Sequence, residues 1–137
     1  MKALTLTQPW ATFVASGLKL IETRNWSTPH RGWLAIHAAK GFPPWAKDLC
    51  VVKPFNFWLD KLGCTVETLP LGAVIAKVNM IDCVRFTITY DPPSHEAQFG
   101  DFTPGRYGFI FSSVVTYPKP IPAKGSLGLW NWTPPAA

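Results

Sequence analysis

The sequence predicts an α+β fold: a small closed or half-closed β-barrel with two or three short helices packed on it. Three observations lead there. Fourteen Pro and ten Gly in 137 residues break the chain too often for the long helices of a bundle or coiled coil. Apolar residues make up 47% and charged residues 15%, enough to bury a core and too little charge for disorder. Apolar stretches of strand length recur between turn signals, while helical spacing is confined to short pieces. One domain over residues 1–137 is expected at this length.

Each element has its own warrant. Ala3–Thr7 alternates as a short first strand. Gln8-Pro9 then opens a helix, because proline suits the first helical position and Trp10, Phe13 and Val14 share one face. Gly17 closes it as a C-terminal cap. Lys19–Trp26 reads as extended, and Ser27–Gly32 as a loop. Trp33–Ala38 is an apolar, buried strand. Pro43-Pro44 starts a short helix towards Cys50, and Phe55–Leu62 is another, closed by Gly63. Gly72–Phe86 is the longest strand candidate, and Asp91–Gly105 is a polar Pro/Gly-rich loop. Arg106–Val115 is a further strand. The tail Pro118–Trp132 carries too many prolines for a central strand and is placed along an edge.

Several function classes drop out. No apolar run approaches the roughly 20 residues of a membrane helix, so no membrane association is expected. Met1-Lys2-Ala3-Leu4-Thr5 lacks the pattern of a secretory leader, so a cytoplasmic, monomeric protein is expected. Cys50, Cys64 and Cys83 are odd in number and widely spaced, which fits buried small hydrophobes better than a disulfide or zinc framework. No two histidines have ligand spacing, and phosphate-loop and dinucleotide signatures are missing. No metal and no cofactor are expected. The charge is informative: residues 1–62 hold eight Lys/Arg against Glu22, Asp48 and Asp60, whereas the remainder is balanced. The whole net charge of +5 therefore sits in the half that also holds Trp10, Trp26 and Trp33. Basic residues interleaved with tryptophan suit a nucleotide or nucleic acid, although a merely solubilising surface gives the same count.

The densest polar cluster is Gly17-Leu18-Lys19-Leu20-Ile21-Glu22-Thr23-Arg24-Asn25-Trp26. In an extended segment Glu22, Arg24 and Trp26 share a face; Lys19, Ile21 and Thr23 take the other, with Lys19 at a turn that lets it swing either way. An amine, a carboxylate, a hydroxyl and a guanidinium so close together form an acid–base kit. An ordinary surface ion pair is the plainer account. His37 and Lys40 end a buried strand, where sites open, yet a lone His there is more often structural. In the Asp91–Gly105 loop, Glu96 or Asp101 is a candidate second carboxylate, and Phe99, Phe102 and Tyr107 are candidate stacking rings.

Leu6-Thr7-Gln8-Pro9-Trp10-Ala11, Gly17-x-Lys19-x-x-Glu22-x-Arg24-x-Trp26 and Arg31-Gly32-x-Leu34-Ala35-Ile36-His37-Ala38-Ala39-Lys40, taken in this order, resemble the ASCH domain family. Leu71–Ala76, Phe99-Gly100-Asp101, Gly105-Arg106-Tyr107 and Gly125-x-Leu127-Gly128-Leu129-Trp130 extend the resemblance over nearly the whole chain. It implies a PUA-like barrel with flanking short helices and a cleft holding the Lys–Glu–Arg cluster. PUA-like barrels are mainly RNA-binding modules. One small bacterial branch of the family hydrolyses N4-acetylcytidine to cytidine and acetate with a Lys, a Thr three residues later and a distant Glu. Lys19 and Arg24 match that branch, but Glu22 stands at its Thr position, with Thr23 one residue along. Glu96 is the first choice for the distant carboxylate and Asp101 the second.

The expectation is thus an amidohydrolase acting on a small modified nucleoside, an N4-acylcytidine. Lys19 moves the proton, Glu22 or Thr23 serves the attacking oxygen, and Glu96 orients the lysine or reads the base. Trp10, Arg24, Trp26, His37, Arg106 and Tyr107 complete the substrate-binding set. The alternatives are a non-catalytic RNA-binding module and a metal-independent ribonuclease.

Overall fold

A computed structural model describes residues 1–135. Its elements are β1 (Lys2–Leu6), α1 (Trp10–Ala15), β2 (Ile21–Arg24), β3 (Gly32–Ala38), α2 (Pro44–Cys50) and α3 (Phe55–Leu62). There follow β4 (Ala73–Arg85), α4 (Ser94–Ala97), β5 (Tyr107–Pro122) and β6 (Leu129–Asn131). The strands form one mixed sheet in the order β2-β5-β4-β3-β1-β6, in which only β1 and β3 run parallel. Register shifts in the β3–β4 and β4–β5 pairs curl the sheet. β2 and β6 remain its two edges, so the expected barrel is a half-barrel.

Burial follows from the residue pattern. Leu34 to Ala38 in β3 and Ala73 to Ala76 in β4 are buried without alternation, as strands covered on both faces must be. Beyond Ala76, β4 alternates, with Val78 and Met80 buried between the half-buried Lys77 and Asn79. The main core joins α1 to this sheet through Leu4, Leu6, Val14, Leu34, Ile36, Val78, Met80, Phe109 and Phe111. A second cluster packs Phe13 of α1 against Cys50, Phe55, Leu59, Leu69 and Phe99, which fixes α2 and α3 beside the sheet. A third, of Ala3, Ala35, Val74 and Trp132, covers the opposite face.

Four expectations are corrected. The first helix begins at Trp10, not at Pro9, and its free amide is met by Gln8, whose Oε1 accepts from Thr12 N–H (3.0 Å). That side chain is buried and also donates to Pro70 O (2.9 Å). Of the extended segment Lys19–Trp26 only Ile21–Arg24 is strand, because Gly17, at φ 81°, turns the chain sharply after α1. The Asp91–Gly105 loop holds the single turn α4, too short to show a period. The strand expected to end at Val115 continues to Pro122. Its prolines are tolerated because past Ile110 the side of β5 away from β4 faces no strand.

Candidate functional site

The turn at Gly17 brings Lys19 back beneath the start of β2. Its side chain is fully buried (0% exposed), and Nζ donates to Ile21 O and to Glu22 Oε1 (2.9 Å). The other Glu22 oxygen accepts from Arg24 Nε (2.9 Å), while Arg24 Nη2 donates to Thr5 O (2.9 Å). Glu22 is thus clamped between two cations, and Lys19 has swung to its side. Burial pushes the Glu22 carboxyl up, but the charges and hydrogen bonds of Lys19 and Arg24 outweigh it and hold it below its ordinary value. This is no ordinary surface ion pair: a lysine without water contact requires its partner.

Glu22 and Arg24 face a cleft of about 730 Å³ between the ends of β1 and β2, α1, α2 and the loop before β5. Small-molecule sites commonly measure about 300–1,000 Å³. One wall is aromatic. Trp10 is pinned by Nε1–H to Phe99 O (3.0 Å), meets Phe55 edge-on at 5.5 Å, and lies 5.9 Å from Trp45, whose ring is 58% exposed. The facing wall is polar: Thr23, Arg24, Asp101 and Arg106 line it with Glu22. Thr23 Oγ1 accepts from Asp101 N–H (3.1 Å). Arg106 donates from Nε to Asp101 O (3.1 Å) and from Nη2 to Thr23 O (3.3 Å). The Asp101 carboxyl is held below its ordinary value by the Thr103 hydroxyl and amide, with a smaller contribution from Arg106. A side chain on Gly100 would come within 2.9 Å of Thr23 Cγ2, so only glycine lets this loop close on β2.

The structure brings Trp10, Glu22, Thr23, Arg24 and Arg106 together at the cleft. Lys19 stands behind Glu22 and is not part of the lining. Glu96 lies apart as well; its oxygens accept from Leu20 N–H (2.9 Å) and Ile21 N–H (3.2 Å), which ties α4 to β2. Asp101, the second choice, is the carboxylate that lines the cleft. Trp26 packs edge-on against Phe109 (5.1 Å) and Tyr107 joins the same core. Phe99 is buried, and Phe102 packs on Phe86 (5.0 Å). His37 is structural in its bonding: Nε2–H donates to Ala123 O (2.7 Å), Thr5 Oγ1 lies 3.0 Å from Nδ1, and Trp130 Nε1–H donates to that hydroxyl (3.0 Å). Sequence reasoning missed Trp45, Phe55 and Gln98. The signal for Trp45 lay in α2, where Ala46, Leu49 and Cys50 form the inward face and leave Trp45 outside it.

This arrangement can now be set beside known proteins. The ASCH domain matches residues 4–107, most of the chain. The chain belongs to the ASCH domain family. Human activating signal cointegrator 1 (Homo sapiens) is 28% identical over 133 residues, covering 93% of this chain and 22% of the human protein. The mouse protein of the same name (Mus musculus) is 30% identical over 134 residues with the same coverage. This ASCH chain thus spans about a fifth of the length of the curated relatives it matches. A crystal structure of a mutant ZmASCH protein from Zymomonas mobilis superposes with a TM-score of 0.50 at 14% identity, covering 88% of this chain and 74% of that one. That likeness establishes the ASCH fold.

Proposed function

We propose that the cleft receives a single unpaired base of RNA, making this chain an RNA-binding ASCH domain. The observation that carries the reading is the pairing of an exposed Trp45 wall with a polar wall whose four charges, Glu22, Asp101, Arg24 and Arg106, cancel. A net-neutral slot between an aromatic face and hydrogen-bonding edges suits a flat, uncharged heterocycle better than a bare anion. Carboxylates accept from exocyclic amines, and guanidiniums donate to ring carbonyls and nitrogens. Bases of single-stranded RNA are free to enter such a slot and stack. Titration of tryptophan fluorescence with a short pyrimidine-rich single-stranded RNA tests it. Trp45→Ala is expected to weaken binding by about 1–3 kcal/mol, the usual worth of one base–aromatic stack. Equal affinity of the variant and the wild type would overturn the assignment.

A second reading, hydrolysis of N4-acylcytidines in the same slot, has one observation in its favour. Thr23 Oγ1 lines the cleft, oriented by Asp101 N–H, and its own proton is uncommitted among the described residues. In this chemistry the Thr23 oxygen attacks the acyl carbon, the C–N4 bond breaks, and the amine takes the proton. Water then releases the acid and restores the hydroxyl. Lys19 acts only through Glu22, as a positioning residue, and Glu96 only through the backbone of β2. Glu22, doubly paired and held ionised, is a weak base, which ranks this reading below binding. A spectrophotometric assay of N4-acetylcytidine decides it. Turnover lost in a folded Thr23→Val variant supports hydrolysis; no turnover by the wild type across several acyl groups removes it.

A further inference from the structure

On the other side of Thr5 lies a second, larger cavity of about 1140 Å³. Thr5 lines both spaces, so they meet at the end of β1. The second is bounded by the end of β3 and the segment after β5, and its charged lining consists of Lys40 and Lys124. Among the described residues neither lysine has an ion-pair partner, and no carboxylate lines this cavity. The frame beneath them is fixed. Ala39 N–H donates to Leu6 O (2.9 Å), Gly72 N–H to Ala38 O (2.9 Å), and Ala123 N–H to Gly72 O (3.0 Å). His37 Nε2–H on Ala123 O completes it. Two flexible point charges therefore stand on a rigid base, with Ser126 and the 95% exposed Leu127 beside them.

We infer that this second cavity receives the sugar–phosphate backbone of the same RNA strand whose base occupies the first cleft, with Lys40 and Lys124 each meeting a phosphate. The inference rests on the base-binding reading and adds what that reading lacks. The first cleft is net neutral and offers a polyanion no attraction, whereas a strand carries one negative charge per nucleotide. The surplus cations stand immediately across Thr5, so the strand reaches them without leaving the surface. Lysine ammoniums neutralise phosphates whatever the adjoining base, and the division of labour is specificity in one space and charge in the other. Leu127 presents an apolar face to the neighbouring sugar or base.

The test compares wild type with a Lys40→Gln/Lys124→Gln variant, titrating the short pyrimidine-rich RNA at several salt concentrations and, separately, the nucleoside cytidine. Both lysines are exposed, so the fold is expected to persist. The variant should bind RNA about tenfold more weakly, and its log K against log salt slope should be shallower by about 1.4, or 0.7 per phosphate released. Cytidine, which has no phosphate, should bind both proteins equally. Unchanged RNA affinity and slope, with Trp45→Ala still weakening binding, would overturn the second subsite alone. Absence of RNA binding by the wild type would overturn it together with the base-binding reading.

Discussion

Lys19 stands at a point where charge and burial conflict. A buried ammonium is tolerated only with a partner, and Glu22 supplies it while sharing itself with Arg24. The three residues are therefore unequal. Glu22→Gln strands Lys19 without an anion and should lower stability by about 3–5 kcal/mol, as when one member of a buried pair is removed. Lys19→Met leaves Glu22 still paired with Arg24, so its cost in a denaturant titration should be smaller; the reverse order would refute this account. The pH dependence has a definite sign. Because the folded carboxyl titrates below its ordinary value, the unfolded chain binds the proton first on acidification. The stabilisation is complete above the ordinary glutamate range and is lost as pH falls towards the depressed folded value. Glu22→Gln should flatten that acid limb. The residue types of this cluster were legible in the sequence, and so was the shared face of Glu22 and Arg24. The position of Lys19 was not, because period-two parity holds only inside a strand and Lys19 lies in the turn before one.

At the scale of elements, α4 shows why the second carboxylate was misplaced by sequence reasoning. It is four residues long and lies 75 residues or more from the amides that Glu96 accepts, so no local pattern announces the contact. Its neighbour His95 donates from Nε2 to Leu18 O (2.8 Å), and together they fasten the segment that carries Lys19 into β2. Glu96 thus positions a strand end, a role that a charged acceptor fills well. Hydrogen bonds to charged groups are worth about 1.5–3 kcal/mol, so Glu96→Ala should destabilise the protein by about 2 kcal/mol. Hydrogen exchange should show the Leu20 and Ile21 amides losing protection in that variant. Unaltered protection there would remove the clamp. The longer elements were legible because their burial is periodic or continuous over many residues. Trp45 was overlooked because the proline pair before it draws attention to where α2 starts, not to which way it faces.

For the whole molecule, the chief hazard of an open half-barrel is its edges, and the chain handles them by length and composition. β6 has three residues and β2 four, so neither offers a long ladder. The exposed stretch is the far half of β5, where Ser112–Pro122 pairs with β4 on one side only. Pro118, Pro120 and Pro122 remove donors along it, and the register breaks between the Thr116 and Ile121 pairings. That is why proline richness in the sequence pointed to an edge before any strand order was known. The guard is also consistent with a single copy binding RNA, since a second chain zipped onto this edge would add nothing to either cleft. With a net charge of +5 assisting, the wild type should run as a monomer in light scattering behind size exclusion. Pro118→Val/Pro120→Val restores two N–H groups and two β-formers to the open edge. Concentration-dependent association of that variant is expected over about 0.1–1 mM, the range in which exposed strand edges aggregate. If it stays monomeric there while its fold is intact, the prolines are not what keeps the edge from pairing, and the register break alone does so.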